Sequence, residues 1–549
     1  MNIVDYVIVF SFLGLTFFVG AIFYRWVGEP DDFYLAGRKL TPFILAAVLT
    51  ATNVNLYSFV GQAGIVYKHG ISIIWQTWTG NMALVFAGLL VIPVFRRLRI
   101  RTIPEFLEQR YDKGVRVMVA VLWVFRLTFW LGIVLYVAVV AAQAITEVHS
   151  FTFWVCVFGV VAMMYTMLGG MWSVAFTDVM QFVIMLAGAL IVLPLAMRAV
   201  GWFPALAETL PGGALDLIPQ TGDYDWKFIL AIFLLGIEWA CVDQGMLQRA
   251  FGAESTKTVA KGLVLAGIAT TPFALLWNLP GLAASRLYPG LENPDSAIPT
   301  LLADLLPHGI LGLVVCGLIS AQLSTISANL NGVATLFTND IYAGILKRQP
   351  TNKDILFVAR LVTLLAGIGM ILFSYWVPQL GGAVESYLTI IGIMDMPLWI
   401  VAVLYGLLWK RTNHQAAIAG YLAGATAGIV GKFYFGFNFN LTTFLSAGVA
   451  LLTTPLVAWL TGPPDAAKVK AVWAAKFTSE EEIKQREFYH LIPTTVSGKL
   501  GIAVALAGLA MFLAGVILGG VTTFTAAGLL AVGGMIVFFA GGLWRAYAD

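Results

Sequence analysis

Long apolar stretches, separated by short polar connections, make up most of this 549-residue chain. A helix needs about 20 residues to cross a bilayer, and a window of about 19 residues finds fifteen such stretches. They lie near residues 3–26, 40–67, 71–95, 117–146, 151–168, 172–200, 227–252, 258–286, 308–343, 354–377, 384–409, 415–434, 441–461, 499–520 and 524–544. The pattern predicts an all-α polytopic membrane protein with about 15 transmembrane helices.

The order of these spans predicts one membrane domain followed by an appendage. Residues 1–461 hold the first thirteen spans, 462–498 form a polar linker rich in Lys and Glu, and 499–549 carry the last two spans. The first stretch lacks a basic leader and is too long for a signal peptide, so we expect it to be retained.

Composition agrees with this class and excludes others. Hydrophobic residues make up 60% of the chain, charged residues 11%, and the mean hydropathy is +0.87, which a soluble globular protein does not reach. The net charge is only +3, without a basic block, so no nucleic-acid partner is expected. The five histidines are scattered, which predicts neither a metal cluster nor a catalytic base beside a nucleophile. We therefore expect no enzyme.

Basic residues indicate the orientation. They crowd the connection after the third span, from Arg96 to Arg116, and recur after the seventh, ninth and eleventh spans. Connections rich in Lys and Arg stay in the cytoplasm. We expect an inner-membrane or plasma-membrane protein with its amino terminus outside and its carboxyl terminus in the cytoplasm.

Polar side chains interrupt the second and seventh spans in mid-membrane. The second contains the run Thr-Asn-Val-Asn at 52–55, and the seventh contains Glu238 and Asp243. Such runs favour an unwound turn, which is tolerated only around a cavity or an ion. A hydrogen bond between helices is the alternative. The two spans lie five helices apart, so we expect inverted five-helix repeats, about residues 40–200 and 227–409, around a midplane site.

The ninth span puts seven polar side chains into twelve positions. Ala321, Ser324 and Thr325 stand at i, i+3 and i+4, so one carbonyl and two hydroxyls face one direction. With the carbonyls of Ala51 and Val54 at the break in the second span, they would form a cage of five oxygens without net charge. Oxygen ligands without carboxylates favour Na⁺ over transition metals and Ca²⁺. The alternative is a Ser/Thr seam between packed helices.

Several segments in a fixed order carry a resemblance to a known family. They are FYLAGR at 33–38, RTIPEF at 101–106, GG at 169–170 with TDVMQ at 177–181, DQ at 243–244 with QR at 248–249, and FTNDIY at 337–342. From about residue 5 to 412 the chain resembles the sodium/solute symporter family, which includes sodium–glucose, proline and sialic acid transporters.

The resemblance implies a leucine-transporter-type fold, with two inverted five-helix repeats and peripheral helices, and alternating access driven by the sodium gradient. It places the family's sodium site on the same five residues as the cage above. A second sodium site of some members would fall on Asp178 and Ser327, but Ala328 replaces a hydroxyl residue of that pattern. A structural role for Asp178 between helices therefore stays open.

Seven residues are candidates for solute binding: Asn55, Ser58, Thr77, Trp78, Arg126, Glu238 and Trp239. The resemblance aligns Trp239 with an aromatic gate, and the tryptophans would stack on a sugar ring or cage a cation. Arg126 has two interpretations: it anchors a solute carboxylate, or it neutralises an acid such as Glu238, Asp243 or Asp395. The galactose or glucose pattern of the sugar-transporting members is missing.

We therefore expect sodium-coupled symport of a small polar solute into the cell, with a sugar, polyol or sugar acid favoured. The alternatives are proton-coupled transport through the acids within the spans, and sodium symport of a carboxylate, an amino acid or a quaternary amine. A transporter-like sensor is a further alternative, although the linker and two helices are too small for a signalling domain.

Overall fold

The computed structural model describes residues 2–23, 39–54, 56–146, 148–346, 350–380, 383–477, 488–522 and 526–548. Within these ranges the regular structure is helical, apart from one isolated bridge between Leu40 and Ala253. Helices satisfy their backbone N–H and C=O groups internally, as the lipid interior requires. The predicted all-α class is confirmed.

The helices of the described ranges follow in chain order. The α-helices are α1 Ile3–Phe23, α2 Pro42–Asn53, α3 Ala63–His69, α4 Ile74–Phe86, α5 Ile92–Arg97, α6 Ile103–Arg110, α7 Lys113–Ile145, α8 Phe151–Ala199, α9 Trp202–Thr209, α10 Trp226–Val242, α11 Gln244–Phe251, α12 Thr256–Thr270, α13 Leu275–Leu287, α14 Ala297–Leu305, α15 Ile310–Thr335, α16 Asn352–Ser374, α17 Ala383–Ile390, α18 Met396–Trp399, α19 Gly406–Leu408, α20 His414–Ile429, α21 Phe439–Leu460, α22 Ala466–Ala474, α23 Val496–Val521 and α24 Ala527–Tyr547. The π-helical segments are Tyr57–Gln62, Ala87–Val91, Leu336–Leu346, Ile391–Asp395, Ile400–Tyr405 and Val430–Tyr434, and the 3₁₀ segments are Ile71–Ile73, Thr271–Ala274, Pro294–Ser296 and Val377–Leu380.

These helices make a multi-pass membrane protein. In the part of the chain that the structure describes, nine helices are long and apolar enough to span a bilayer, and eleven if two bent pairs are each counted as one span. Four shorter apolar helices stand where the remaining spans are predicted: Ile3–Leu15, Pro42–Ala51, Phe151–Met164 and Ile310–Ile319. The total of fifteen spans stays a prediction.

One predicted boundary between two spans does not coincide with a helix end. The spans expected at 151–168 and 172–200 belong to a single helical element, α8. Phe158 and Val192 nevertheless each line a small cavity that also touches Leu318. A straight helix would place them about 50 Å apart, at about 1.5 Å per residue. The element therefore doubles back between them, and the two glycines at 169–170 do not end it, because glycine weakens a helix without removing an N–H donor.

The second and seventh spans are broken at their centres, as the sequence predicts. α2 ends at Asn53, and Val54 is extended, with φ −93° and ψ 104°. α10 and α11 meet at an angle of 47°, and Asp243 between them is extended, with φ −63° and ψ 123°. The Asp243 side chain accepts a hydrogen bond from the Met246 N–H (3.1 Å), which caps α11. Both breaks leave backbone groups outside the regular helical pattern.

The helices around these breaks pack as two groups. α10 and α12 each pack against α4, and the three form the α4 group, whereas α7, α15 and α16 contact one another and form the α7 group. Leu40, just before α2, pairs with the residues that follow α11: the Leu40 N–H donates to Gly252 O (3.0 Å), and the Glu254 N–H donates to Leu40 O (3.2 Å). This bridge joins the two broken spans at one face of the molecule.

The last two helices form a close antiparallel hairpin. Small residues face each other along α23 and α24, so the two backbones approach closely, as in other membrane helix pairs. The ring of Phe512 on α23 lies 5.4 Å from the rings of both Trp75 on α4 and Phe233 on α10. The predicted appendage is therefore docked on the α4 group.

Replacing Gly515 by Leu is expected to destabilise this hairpin. A Cβ at Gly515 would lie 2.5 Å from the Ala531 backbone nitrogen, which cannot yield like a flexible side chain. Overpacking of this kind costs about 1–3 kcal/mol, so the midpoint of thermal unfolding should fall. Gly533→Leu is the matched control, because no heavy atom lies within 4 Å of a Cβ there. Equal midpoints for both variants would contradict the close packing.

Candidate functional site

A cavity of about 140 Å³ lies between the α4 group and the α7 group, beside both helix breaks. Its volume accommodates several water molecules or a small polar solute. It is lined by Asn53, Tyr57, Ser58, Gln62, Gln76, Thr77, Gly80, Asn81, Arg126, Trp130, Ile232, Leu235, Gly236, Glu238, Trp239, Asp243, Gly245, Met246, Thr325, Asn329, Tyr387 and Ile391. A cavity between two broken helices is the arrangement expected of a transport site.

Part of the predicted five-oxygen cage lies at this cavity. Ala51 and Val54 on either side of the α2 end are 2% and 1% exposed. Thr325 on α15 is 3% exposed and lines the cavity together with Asn53, and α2 packs against α15. Ala321 and Ser324 also belong to α15, but their side chains lie outside the described part of the structure.

The residues proposed for a second ion are less informative. Asp178 belongs to α8, and its side chain lies outside the described part of the structure. Ser327 is completely buried on α15. A second sodium site stays a prediction.

Arg126 is held by acids of the protein itself. Its Nε donates to Asp395 Oδ1 (3.1 Å), its Nη2 bonds to Asp395 Oδ2, and its Nη1 lies 3.3 Å from Asp243 Oδ2. The guanidinium also lies 5.4 Å from the centre of the Trp123 ring. The sequence left two roles open for Arg126, binding a solute carboxylate or neutralising an acid of the protein. The structure shows the second, an internal ion pair. A paired Arg126 is not available as the sole anchor for a solute carboxylate.

Two side chains at the cavity carry polar atoms that have no hydrogen-bond partner among the described residues. Glu238 is 1% exposed, and its Oε1 has no hydrogen-bond partner in the described part of the protein. The same is true of both polar atoms of the Asn53 side chain. A buried polar group left without a partner costs about 1–3 kcal/mol, so native proteins seldom retain one without a function. Glu238 and Asn53 are therefore candidates to contact a bound ligand.

Acidic groups outnumber basic groups around the cavity. Glu238, Asp243 and Asp395 are three acids near one arginine, Arg126. A second positive charge is found neither among the described cavity-lining residues nor in this cluster. The cavity therefore favours a ligand that donates hydrogen bonds or carries positive charge, and disfavours an anion.

A chain of amide and hydroxyl groups lines another wall of the cavity. Thr77 Oγ1 donates to Gln62 Oε1 (3.0 Å), Gln62 Nε2 donates to Gln76 Oε1 (3.2 Å), and Gln76 Nε2 donates to the Tyr57 hydroxyl (3.3 Å). Trp277 Nε1 donates to the same Gln62 oxygen (2.8 Å). These contacts fix the orientation of the side chains before a ligand arrives.

Three aromatic rings form a cluster at the cavity. The ring centres of Trp130 and Tyr387 are 4.4 Å apart, and that of Tyr57 lies 5.3 Å from Tyr387 and 6.2 Å from Trp130. A second cavity of about 490 Å³ is lined by Gly64, Tyr136 and Leu388, which follow these rings along the same helices. We call Tyr57, Trp130 and Tyr387, which all line the smaller cavity, the aromatic lid.

The larger cavity contains a carboxyl group from a connecting turn. Asp295, on the 3₁₀ turn Pro294–Ser296, approaches α3 where Gly64 has no side chain: a Cβ there would lie 2.7 Å from Asp295 Oδ1. Burial raises the pKa of the Asp295 carboxyl to about 6. This cavity therefore changes charge in mildly acidic conditions.

The structure brings together most of the predicted solute-binding residues. Ser58, Thr77, Arg126, Glu238 and Trp239 line the cavity. Trp78 does not line it: its Nε1 donates to Thr271 O (3.1 Å), and its ring packs edge-on against Trp75 at 5.2 Å. Asn55 lies outside the described residues.

Sequence reasoning missed the amide chain and the aromatic lid. Gln62 stands one helical turn after Ser58, and Gln76 directly precedes Thr77, so both were within reach of the pattern. Trp130 lies one turn after Arg126 in the same way. Tyr387 is remote in sequence, and the sequence carries no signal for its contact with Trp130.

Comparison with known proteins gives consistent matches. The model of a family described as "Sodium:solute symporter family" matches residues 33–424. The chain is 28% identical over 476 residues to the "Uncharacterized symporter YidK" of Escherichia coli (strain K12), covering 81% of this chain and 82% of that one. It is 27% identical over 439 residues to the "Sodium/glucose cotransporter" of Vibrio parahaemolyticus, covering 74% and 80%.

A solved structure shows the same fold. It is a "Na+-coupled sialic acid symporter" in a substrate-bound, outward-open state, with a TM-score of 0.77 and 21% sequence identity. The match covers 84% of this chain and 99% of that one. The likeness confirms the predicted leucine-transporter-type fold.

Proposed function

Because the chain belongs to the sodium:solute symporter family, we propose that it uses the sodium gradient to bring a neutral, hydroxyl-rich solute, such as a sugar or a polyol, into the cell. Sodium-coupled symport follows from the membership, and the protein is accordingly no enzyme. The class of solute and the direction of transport are the proposal.

The cavity carries this proposal, because Glu238 Oε1 and the Asn53 amide group have no hydrogen-bond partner among the described residues. A carboxylate accepts hydrogen bonds, and an amide both donates and accepts. Adjacent hydroxyl groups of a sugar or polyol offer donors to Glu238 and both kinds of group to Asn53. A site built to bond hydroxyls discriminates strongly against analogues that lack them, because its own polar groups would then stay unpaired.

Charge selects between the solutes expected from the sequence. A sugar acid would bring a carboxylate beside Glu238, Asp243 and Asp395, and Arg126 already bonds the two aspartates. A neutral solute avoids that repulsion. The relative named a sodium/glucose cotransporter agrees with a neutral solute.

For the ion we propose the cage of Ala51, Val54, Ala321, Ser324 and Thr325. The break after Asn53 supports it, because Val54 is extended and buried beside α15. One cation that moves down a membrane potential of 100 mV releases about 2.3 kcal/mol. At about 1.4 kcal/mol per decade, that supports roughly 50-fold accumulation of a neutral solute. A single ion per cycle is therefore sufficient, and a second at Asp178 and Ser327 is not required.

Transport then proceeds by alternating access. Sodium binds at the cage first and favours the outward-open conformation, whose cavity accepts the solute. The aromatic lid closes over the solute, and the α4 group rocks against the α7 group to open the other side. We place the basic connections in the cytoplasm and the amino terminus outside.

A cationic solute is the second candidate. The surplus of acids and the three rings of the aromatic lid suit a quaternary amine, since a cation is attracted to ring faces as well as to carboxylates. The uptake of such a solute would not be competed by sugars.

The test is thermal unfolding of the purified protein in Na⁺ and in K⁺, with a panel of sugars, polyols, sugar acids, amino acids and quaternary amines. A ligand that binds the folded state raises the unfolding midpoint. We expect stabilisation by a neutral polyhydroxyl compound in Na⁺ only. Stabilisation by an amine alone would select the second candidate. Equal stabilisation in both salts would contradict the proposed sodium cage and favour proton coupling.

A further inference from the structure

Three positive side chains surround one indole ring at the end of the molecule that carries the basic connections. The Trp473 ring, at the end of α22, has Lys476 Nζ at 4.0 Å from its centre, Lys410 Nζ at 5.7 Å and the Arg110 guanidinium at 5.8 Å. We call these four residues the Trp473 cluster. Its members come from three distant parts of the chain.

Neutral groups of the protein satisfy these cations only in part. Arg110 donates to the carbonyl oxygens of Gly406 (2.9 Å) and Trp409 (3.0 Å), and its Nη1 is buried without a partner in the described part of the protein. Lys476 Nζ donates to Leu407 O (2.5 Å). Within the described residues no carboxylate makes a salt bridge with Arg110, Lys410 or Lys476. Among the residues that the structure describes, these three like charges around one ring therefore have no counter-ion.

The electrostatics of Lys476 agree with this arrangement. Its burial, and then the positive charges of Lys410 and Arg110, lower the pKa of the Lys476 amine below its usual range. An anion placed between Lys476 and Lys410 would remove that repulsion.

The cluster adjoins the surface that faces lipid. Trp409, next to Lys410, packs edge-on against Trp459 at 6.2 Å. Trp459 is 63% exposed, and the neighbouring Leu460 is 78% exposed. Apolar side chains at such exposure in a spanning helix contact acyl chains, and tryptophans of this kind mark the level of the lipid headgroups. We therefore expect Lys410 at the level of the lipid headgroups.

From these contacts we propose that the Trp473 cluster binds the headgroup of an anionic phospholipid, whose phosphate lies between Lys410 and Lys476. The acyl chains of that lipid cover the exposed face near Trp459. Arg110 contributes positive potential from behind the ring rather than a direct contact, because only 1% of it is exposed. The bound lipid joins α22, α6 and the residues after α19, so it stabilises the folded protein.

The experiment measures lipid affinity of the full-length protein, purified in detergent, by native mass spectrometry. Phosphatidylglycerol is titrated against the wild type and against Lys410→Gln with Lys476→Gln. We expect about 30-fold weaker binding to the double variant, equivalent to about 2 kcal/mol at about 1.4 kcal/mol per decade. That is the contribution of two lysines at an anionic membrane surface. Lys470→Gln, an exposed lysine of the same helix, is the matched control and should bind like wild type.

Further measurements distinguish an anionic phospholipid from other ligands of the Trp473 cluster. Phosphatidylcholine should bind equally weakly to all variants, and inorganic phosphate at the same concentration should not compete. If the double variant does not fold, Lys410→Gln alone replaces it in the experiment. We expect its affinity for phosphatidylglycerol to be about fivefold weaker than that of the wild type.

Three results would overturn the proposal. One is equal affinity for phosphatidylglycerol in the double variant and the wild type. Another is competition by inorganic phosphate, which would make the site one for a free anion. The third is lipid binding that appears only after Glu480, Glu481 and Glu482 are changed to Gln, which would mean that the chain's own acids fill the site.

Discussion

Replacing Ser324 and Thr325 together by alanine is expected to abolish sodium-dependent uptake. The proposed cage has five oxygens, and the double variant removes its two hydroxyls. Polar contacts to a charged group contribute about 1.5–3 kcal/mol each. Two of them correspond to at least about 100-fold weaker sodium binding at about 1.4 kcal/mol per decade. The measurement is the sodium dependence of initial uptake rates in proteoliposomes.

A matched control separates ion binding from damage to the helix. Thr363→Ala removes the same kind of hydroxyl from α16, where Oγ1 donates to the Ala359 carbonyl (2.9 Å) of its own helix. This control should keep the sodium dependence of wild type. If the sodium affinity of the Ser324 and Thr325 double variant equals that of wild type, the cage is not the sodium site. The Asp178 and Ser327 pair would then be examined next.

Replacing Arg126 by Gln is expected to prevent accumulation of folded protein. The change leaves Asp395, which is fully buried, and Asp243 without their positive partner. Removing one member of a buried ion pair costs about 3–5 kcal/mol, which is a large part of the stability of a typical domain. The measurement is the yield of monodisperse protein in detergent and its thermal unfolding midpoint.

A second substitution tests the cause. Adding Asp395→Asn to Arg126→Gln removes the more deeply buried of the two orphaned charges and should restore part of the yield, because replacing both members of a buried pair is far less costly than removing one. Arg286→Gln, at an exposed arginine, is the control and should behave as wild type. Normal yield of the single variant, or no recovery in the double variant, would show that the ion pair is not what makes Arg126 necessary.

Features encoded locally could be predicted from the sequence. The spans follow from hydrophobic runs of bilayer length, and the break of α2 follows from the polar run at 52–55. Asp243 also carries a local signal, because its side chain caps α11, which begins at the next residue. Each of these features depends on neighbours within one or two turns.

Features that depend on distant contacts could not be predicted. Arg126 and Asp395 are 269 positions apart, and the sequence offered Glu238, Asp243 and Asp395 equally as partners. The course of α8 is similar: hydropathy predicts two spans at 151–168 and 172–200, but the helical element continues from one to the other. Trp78 looked suitable for stacking on a solute, yet its indole N–H is taken by the Thr271 carbonyl.

The docking of the terminal hairpin has a practical consequence for spectroscopy. α23 and α24 contact α4, α10 and α12, so in the proposed mechanism we expect a probe on this hairpin to move with those helices. Leu529 at its tip is 75% exposed, and Leu365 on α16 is 56% exposed. Spin labels at these two positions would report the rocking angle as a change in one distance, without a label near the ion or the solute.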